Sequence, residues 1–330
     1  MNSNNTTNAE DTRPLMVSIR CITYNHEPYI RQCLDGFVMQ KTNFRFEAIA
    51  HDDASTDGTA DIIREYAEKY PDIIKPIFEK ENQYSKHDGS LVRIMDEACK
   101  GKYIAICEGD DYWIDSLKLQ KQVDFLEANP DYGMVYTGHR RYIQNENRFV
   151  EGKNVSQSFN ELLFSNNIAT HTVLYRTSLQ LKYRKEIGPI AIERQWKMGD
   201  TPKWLYIMAH SKAKYLSDIT GVYRLLENSA CHFTSYEKDR DFWISHYDMS
   251  LFFAKTYNAP IELQKKIALN ETEFLLGMAQ AYNKNLHFPF YRHLKDNDLF
   301  TIKRYLSCKM RSTVWGRRLY TILKKCPKKV

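Results

Sequence analysis

Gly101-Lys102-Tyr103-Ile104-Ala105-Ile106-Cys107-Glu108-Gly109-Asp110-Asp111-Tyr112-Trp113 is the stretch on which the fold turns. Tyr103 to Cys107 is apolar, of strand length, and runs straight into three carboxylates within four positions. Two similar junctions lie upstream. Val17 to Thr23 reads as a first strand leading into Thr23-Tyr24-Asn25, and Phe46 to Ala50 as a second leading into Asp52-Asp53-Ala54-Ser55-Thr56-Asp57-Gly58-Thr59. Between them, Ile30, Cys33, Leu34, Phe37 and Val38 fall at i, i+3, i+4, i+7 and i+8, with Pro28 suited to a first helical turn. Ile62, Ile63 and Tyr66 mark a second helix, Ile73 to Phe78 a third strand, and Leu91, Ile94, Met95 and Ala98 a third helix. A further helix carries Leu119, Val123 and Leu126 and stops at Asn129-Pro130. Strands alternating with helices predict βαβ units and a largely parallel sheet.

Ligands of open parallel sheets bind outside the carboxyl ends of the strands, so the three junctions are expected to converge on one crevice. Carboxylates crowded at a strand end repel unless a cation neutralises them, and an all-oxygen set suits Mg²⁺ or Mn²⁺. A helix-capping acidic turn is the simpler use of an isolated Asp-Asp pair. The second acidic turn alongside favours the metal. No G-x-G-x-x-G follows the first strand and no G-x-x-x-x-G-K-[ST] occurs, so neither a dinucleotide fingerprint nor a P-loop is present. No G-x-S-x-G elbow supplies a hydrolase nucleophile.

Beyond residue 138 the pattern is less regular. Thr172 to Tyr175 and Val222 to Leu225 read as strands, Asp200 to Ala209 as a helix, and the chain after Ser235 as helical almost throughout. The expected division is a tail over 1–14, a catalytic domain over 15–235 with halves 15–137 and 138–235, and a helical extension over 236–330. With 330 residues and 43% apolar content the chain has ample core, and no apolar run approaches the roughly 18 residues of a membrane span. Residues 1–13 lack the basic and apolar regions of a secretory signal, which predicts a cytoplasmic protein. Seven scattered cysteines without a C-x-x-C pair read as reduced thiols, and the N-x-S/T triplets at Asn154 and Asn270 as chance.

The net charge of +6 conceals an asymmetry: ten Lys and Arg and no acid follow Asp298, leaving a body of 37 basic and 41 acidic residues. Interleaved with Ile302, Tyr305, Leu306, Val314, Trp315, Leu319 and Tyr320, that basic end suits an anionic membrane surface, a peripheral site on the inner face of the cell membrane. A solvated basic helix face is the plainer use. No nucleic acid is expected, because the slightly acidic body confines any polyanion site to the tail.

The three junctions, in this order and spacing, resemble the family 2 glycosyltransferases of GT-A fold, over about residues 15–230. The resemblance implies a Rossmann-like, mostly parallel α/β sheet flanked by helices, followed here by a helical C-terminal extension. It implies that Thr23 and Tyr24 line the nucleobase pocket, Tyr24 by stacking, with Asn25 beside them, and that Asp53 accepts from the base N–H. Asp110 and Asp111 match the family's acidic cluster for the ribose and for Mn²⁺ or Mg²⁺. Glu108 departs from the more usual Asp, which puts its metal contact in doubt. Arg93 is expected to hold a phosphate, His232 to reach the metal and His171 to face the acceptor. Asp200, ahead of Thr201-Pro202, matches the general base and also suits a helix N-cap.

Glu193-Arg194-Gln195-Trp196 departs from the Q-x-x-R-W of processive members, which favours transfer of one sugar. The implied activity is metal-dependent, inverting transfer from a nucleoside-diphosphate sugar, by expectation a UDP-sugar, to a hydroxyl of a glycan or lipid-linked acceptor in bacterial surface-polysaccharide assembly. A metal-dependent nucleotidyltransferase shares the carboxylate logic but wants a Gly-rich triphosphate loop, and none follows Thr23.

Overall fold

A computed structural model describes residues 11–226 and 235–325. In chain order the elements are β1 (Leu15–Thr23), α1 (Glu27–Val38), β2 (Arg45–Asp52), α2 (Thr59–Lys69), β3 (Ile74–Phe78), α3 (Ser90–Ala98), β4 (Tyr103–Ile106), β5 (Tyr112–Trp113), α4 (Lys118–Ala128), β6 (Tyr132–Ile143) and β7 (Arg148–Glu151). There follow α5 (Phe159–Leu162), β8 (Leu174–Arg176), α6 (Thr177–Glu186), α7 (Gly188–Glu193), α8 (Thr201–His210), β9 (Lys212–Leu225), α9 (Tyr236–Thr256), α10 (Ile261–Ala281), α11 (Phe290–Asp296), α12 (Ile302–Arg311) and α13 (Val314–Lys325).

The chain packs as two units. Of the described residues, the first comprises 11–157, 167–189 and 210–226; the second gathers 158–166, 190–209 and 235–325. Residues of the expected acceptor half, 138–235, are divided between them.

In the first unit the strands run in the order β3-β2-β1-β4-β8-β6-β9-β5, with β7 on β6. β3, β2, β1 and β4 are mutually parallel, as the βαβ pattern predicts. β8 is antiparallel to both β4 and β6, and β9 is parallel to β6 along most of its length. The alternation along each strand sets the packing. Val17, Ile19 and Cys21 of β1, Ala48 and Ala50 of β2, and Tyr103, Ala105 and Cys107 meet Ile30, Cys33, Leu34 and Phe37 of α1 in one core. One residue out of phase, Arg20 is buried beside Asp96 of α3 at 3.2 Å.

In the second unit α9 and α10 are long helices of 21 residues each. Trp243 packs on Phe274 at 4.5 Å between ring centroids, and Leu275, Leu276, Ala279, Phe290, Leu294 and Cys308 form the buried centre.

Candidate active site

The parallel order brings the carboxyl ends of β1, β2 and β4 side by side, and their loops are stitched together before any ligand is considered. Asn25 and Ala54 both hold left-handed backbone, at φ 55 and 62. The Asn25 side-chain oxygen accepts from the Thr56 amide (2.8 Å), and its own amide donates to Ser55 Oγ (2.9 Å). His26 N donates to Thr59 Oγ1 and Glu27 N to Asp57 Oδ2, while Glu27 Oε2 accepts from Gly58 N. Much of the Asp52–Thr59 motif therefore clamps two loops, and Asn25 belongs to that clamp.

Thr23 is buried, with its hydroxyl donated to the His51 carbonyl, and only its backbone reaches the strand end. Tyr24 is 46% exposed and offers a ring face. Asp53 is buried, and its two carboxylate oxygens accept from the amides of Gln83 (2.7 Å) and Tyr84 (3.0 Å). A base N–H would have to use a remaining lone pair of a carboxylate already holding the 82–84 loop. Arg93 is exposed on α3 and donates to the Asp88 carbonyl.

The turn after β4 parts the two aspartates that the sequence presents as one cluster. Asp111 points inward and is 5% exposed. Its Oδ1 accepts from the backbone N–H of Arg224 (2.8 Å), and its Oδ2 lies 3.2 Å from His171 Nδ1. Burial, and then Asp110, push its carboxyl well above the usual range. Asp110 is half-buried, and its carboxylate takes no hydrogen bond from the described residues. His26 faces it from the start of α1: burial lowers the imidazole, and Asp110, Asp57 and Asp52 oppose that. The turn fits because residue 109 is glycine. A Cβ there would come within 2.5 Å of the Thr23 methyl and 2.8 Å of His26 Nδ1.

Arg224, near the end of β9, fixes this turn. Its Nε donates to the Asp110 carbonyl (2.9 Å), Nη1 to Gln144 and Nη2 to Gln32 (both 2.7 Å). The guanidinium is surrounded by the rings of Tyr29, Tyr112 and Tyr142 at 4.9, 5.2 and 5.6 Å. Behind Asp111, His171 stacks on Tyr223 and meets His139 edge-on. Burial pushes His171 down to about 3, with Lys118 adding to the shift, and pushes His139 down to about 4, with His171 and Arg141 adding. His171 is wholly buried and supports Asp111 rather than facing an open surface. Lys118 is also fully buried, over the Trp113 ring at 4.3 Å, with its ammonium donated to Gln122 and burial lowering it to about 7.

In the second unit, Asp200 directly precedes α8. Its Oδ1 accepts from the Thr201 amide (2.6 Å), and its Oδ2 accepts from Asn166 Nδ2 (3.2 Å). His232 lies outside the described residues. Among the described residues no three His, Cys, Asp or Glu side chains form a metal-holding group. What they do offer is the Asp110 carboxylate, a hard oxygen donor of the kind that holds Mg²⁺ or Mn²⁺ together with substrate phosphates.

Arg224, Gln32, Gln144 and His26 are the site residues that motif reading missed. Tyr223-Arg224 stands in the sequence as a plain end to an apolar run, and nothing local marks the arginine as a partner of Asp110.

An acidic turn at the carboxyl ends of adjoining parallel strands, on a mixed sheet flanked by helices, is the architecture of the GT-A nucleotide-sugar transferases. The profile of Glycosyl transferase family 2 matches residues 18–188, and the chain belongs to that family. It is similar to an uncharacterized protein of Mycobacterium tuberculosis, 42% identical over 166 residues, which are 48% of this chain and 46% of that protein. The chain thus spans about half the length of that relative. It is also similar to an Escherichia coli UDP-Glc:alpha-D-GlcNAc-diphosphoundecaprenol beta-1,3-glucosyltransferase, 28% identical over 215 residues, 64% of this chain and 77% of that enzyme. Among solved structures, Staphylococcus aureus TarS 1–349 in complex with UDP-GlcNAc superposes with a TM-score of 0.58 at 16% identity, covering 94% of this chain and 91% of TarS. A Pyrobaculum calidifontis mannosyltransferase in complex with GDP-Man and Mn²⁺ gives 0.55 at 18% identity, covering 95% and 89%. At these identities the structures speak for the fold alone.

Proposed function

We propose that the chain transfers a single sugar, with inversion, from a UDP-sugar to a hydroxyl of a glycan or lipid-linked acceptor in bacterial surface-polysaccharide assembly. The observation that carries this reading is the Asp110 carboxylate, left uncommitted at the end of β4 while Arg224 and Asp111 hold the turn beneath it. The names of the E. coli relative and of the TarS complex support a UDP-sugar, whereas the mannosyltransferase complex shows that the fold also takes GDP-Man.

In this reading Tyr24 stacks on the base and Asp110 faces the ribose and the diphosphate. A divalent ion held by Asp110 and the diphosphate would neutralise the charge that develops on the leaving group. Asp200 accepts the proton of the acceptor hydroxyl as the new bond forms, with Asn166 and Thr201 fixing the carboxylate's orientation. A single base that takes this proton as the leaving group departs suffices for inversion.

The test is calorimetric binding of UDP, GDP and CDP, with and without Mn²⁺, to the wild type and to Asp110→Asn. Metal-dependent UDP binding that Asp110→Asn weakens at least tenfold is expected. Nucleotide binding absent in both metal states, or unchanged in the variant, would refute the assignment.

A further inference from the structure

We propose that the outward face of α12 and α13 docks on an anionic lipid bilayer. Tyr305 and Cys308 turn α12 inward, onto the cluster that includes Leu294 and Leu299. The exposed surface of the two helices is apolar as well. Ile302 is 70% and Leu306 55% exposed on α12, and Trp315 is 78% and Leu319 51% exposed on α13. Each pair is spaced i, i+4 and so lies on one stripe of its helix. A helix packed on one side normally shows polar residues on the other, and four large apolar groups in two short helices are a surface lacking its cover.

Charge selects the cover. Lys303, Lys309 and Arg318 are exposed beside these pairs, and the Arg318 guanidinium lies 5.2 Å over the Trp315 ring. Arg311 is taken up by Glu273, and Arg317 donates to the carbonyls of Arg311 and Lys284, so these two pin the helices down. An open groove of about 880 Å³, lined by Glu273, Gln280, Asn283, Arg311, Arg317 and Arg318 among others, adjoins this face; with Glu273 paired to Arg311, the exposed Arg318 is the cation it offers a lipid phosphate. No acidic residue follows Asp298 in the chain, so α12 and α13 themselves carry only positive charge. Apolar side chains flanked by cations, with an indole among them, match the boundary between headgroups and acyl chains, and the sign of the charge selects anionic lipid. No described helix is long and apolar enough to cross a membrane, so the contact is one of surface docking by these helices.

The use of this surface in meeting a lipid-linked acceptor rests on the transferase reading, but vesicle retention does not, and it is measured on the full chain without nucleotide. The assay is flotation with vesicles of one-third phosphatidylglycerol in phosphatidylcholine, against phosphatidylcholine alone, at roughly 0.1 M salt. Retention on the anionic vesicles is expected to exceed that on neutral ones about tenfold or more. Two variants, Trp315→Ser with Leu319→Ser, and Lys303→Gln with Lys309→Gln and Arg318→Gln, should each lower it by about tenfold or more. Helix content by circular dichroism and UDP binding should stay unchanged. Absent retention, equal retention on neutral vesicles, or retention that both variants keep would overturn the proposal. So would a self-association that the serine variant abolishes while vesicles bind nothing, which would mark the face as a contact between copies.

Discussion

Arg224 makes three side-chain hydrogen bonds around the acidic turn and donates a fourth, from its backbone, to Asp111. A lysine keeps the charge, but its single compact head cannot serve the Asp110 carbonyl, Gln32 and Gln144 together. Arg224→Lys is therefore expected to cost about 2–3 kcal/mol in urea denaturation and to weaken UDP binding at least tenfold by calorimetry. His139 and His171 set a pH limit on the same site. Burial lowers both, so between about 4 and the ordinary 6.5 the unfolded chain binds more protons than the folded one. Their contribution is complete above that ordinary value and is lost as the pH falls, towards about 4 for His139 and about 3 for His171. Denaturation midpoints should drop on acidification, and His139→Gln should recover on the order of 1–2 kcal/mol near pH 5. Motif reading located Asp110 and Asp111 but not their different orientations, because the partners that turn Asp111 inward, Arg224 and His171, stand far downstream and carry no local signature.

Among the elements, β1 to β4 and α1 to α4 were legible because their apolar stripes coincide with buried faces, such as Ile30, Cys33, Leu34 and Phe37 on α1 and Leu119, Val123 and Leu126 on α4, whereas the two-residue β5 offered no period to read. β8 was legible only as a short apolar run. Three residues carry no period that would distinguish the antiparallel pairing it makes with both β4 and β6. β9 extends over 14 residues, yet its first half is only half-buried and includes Lys212, Lys214 and Asp218, so the sequence shows a strand only where Val222 begins to be covered. In the helical unit, Glu271 of α10 lies 3.5 Å from His293 of α11. Burial, with Asp248 adding, pushes Glu271 up to about 8, and burial lowers His293, so the two meet as neutral groups. Here the folded state holds the extra proton, and stability falls as the pH rises from about 4.5 to 8. Glu271→Gln is expected to flatten that slope, stabilising the chain by on the order of 1–3 kcal/mol at pH 8 and little at pH 4.5 in parallel urea titrations.

At the scale of the whole molecule, the family's nucleotide-side motifs all fall in the first 113 residues, yet the packed units interleave distant segments. Residues 167–189 and 210–226 return to the first unit, while 158–166 and 190–209 join the C-terminal helices. This exchange was hidden from a linear reading, which cuts a chain at changes of composition, and none marks 158, 190 or 210. The long reach of Arg224 back to Asp110 and Asp111 also has a consequence for the order of events in synthesis. A ribosome delivers the strands, the glycine turn and both aspartates early, but the arginine that closes the turn and the amide that meets Asp111 come more than a hundred residues later. The emerging chain thus carries its acidic turn well before the residue that fixes it, and the turn's hydrogen bonds are complete only once β9 has joined the sheet.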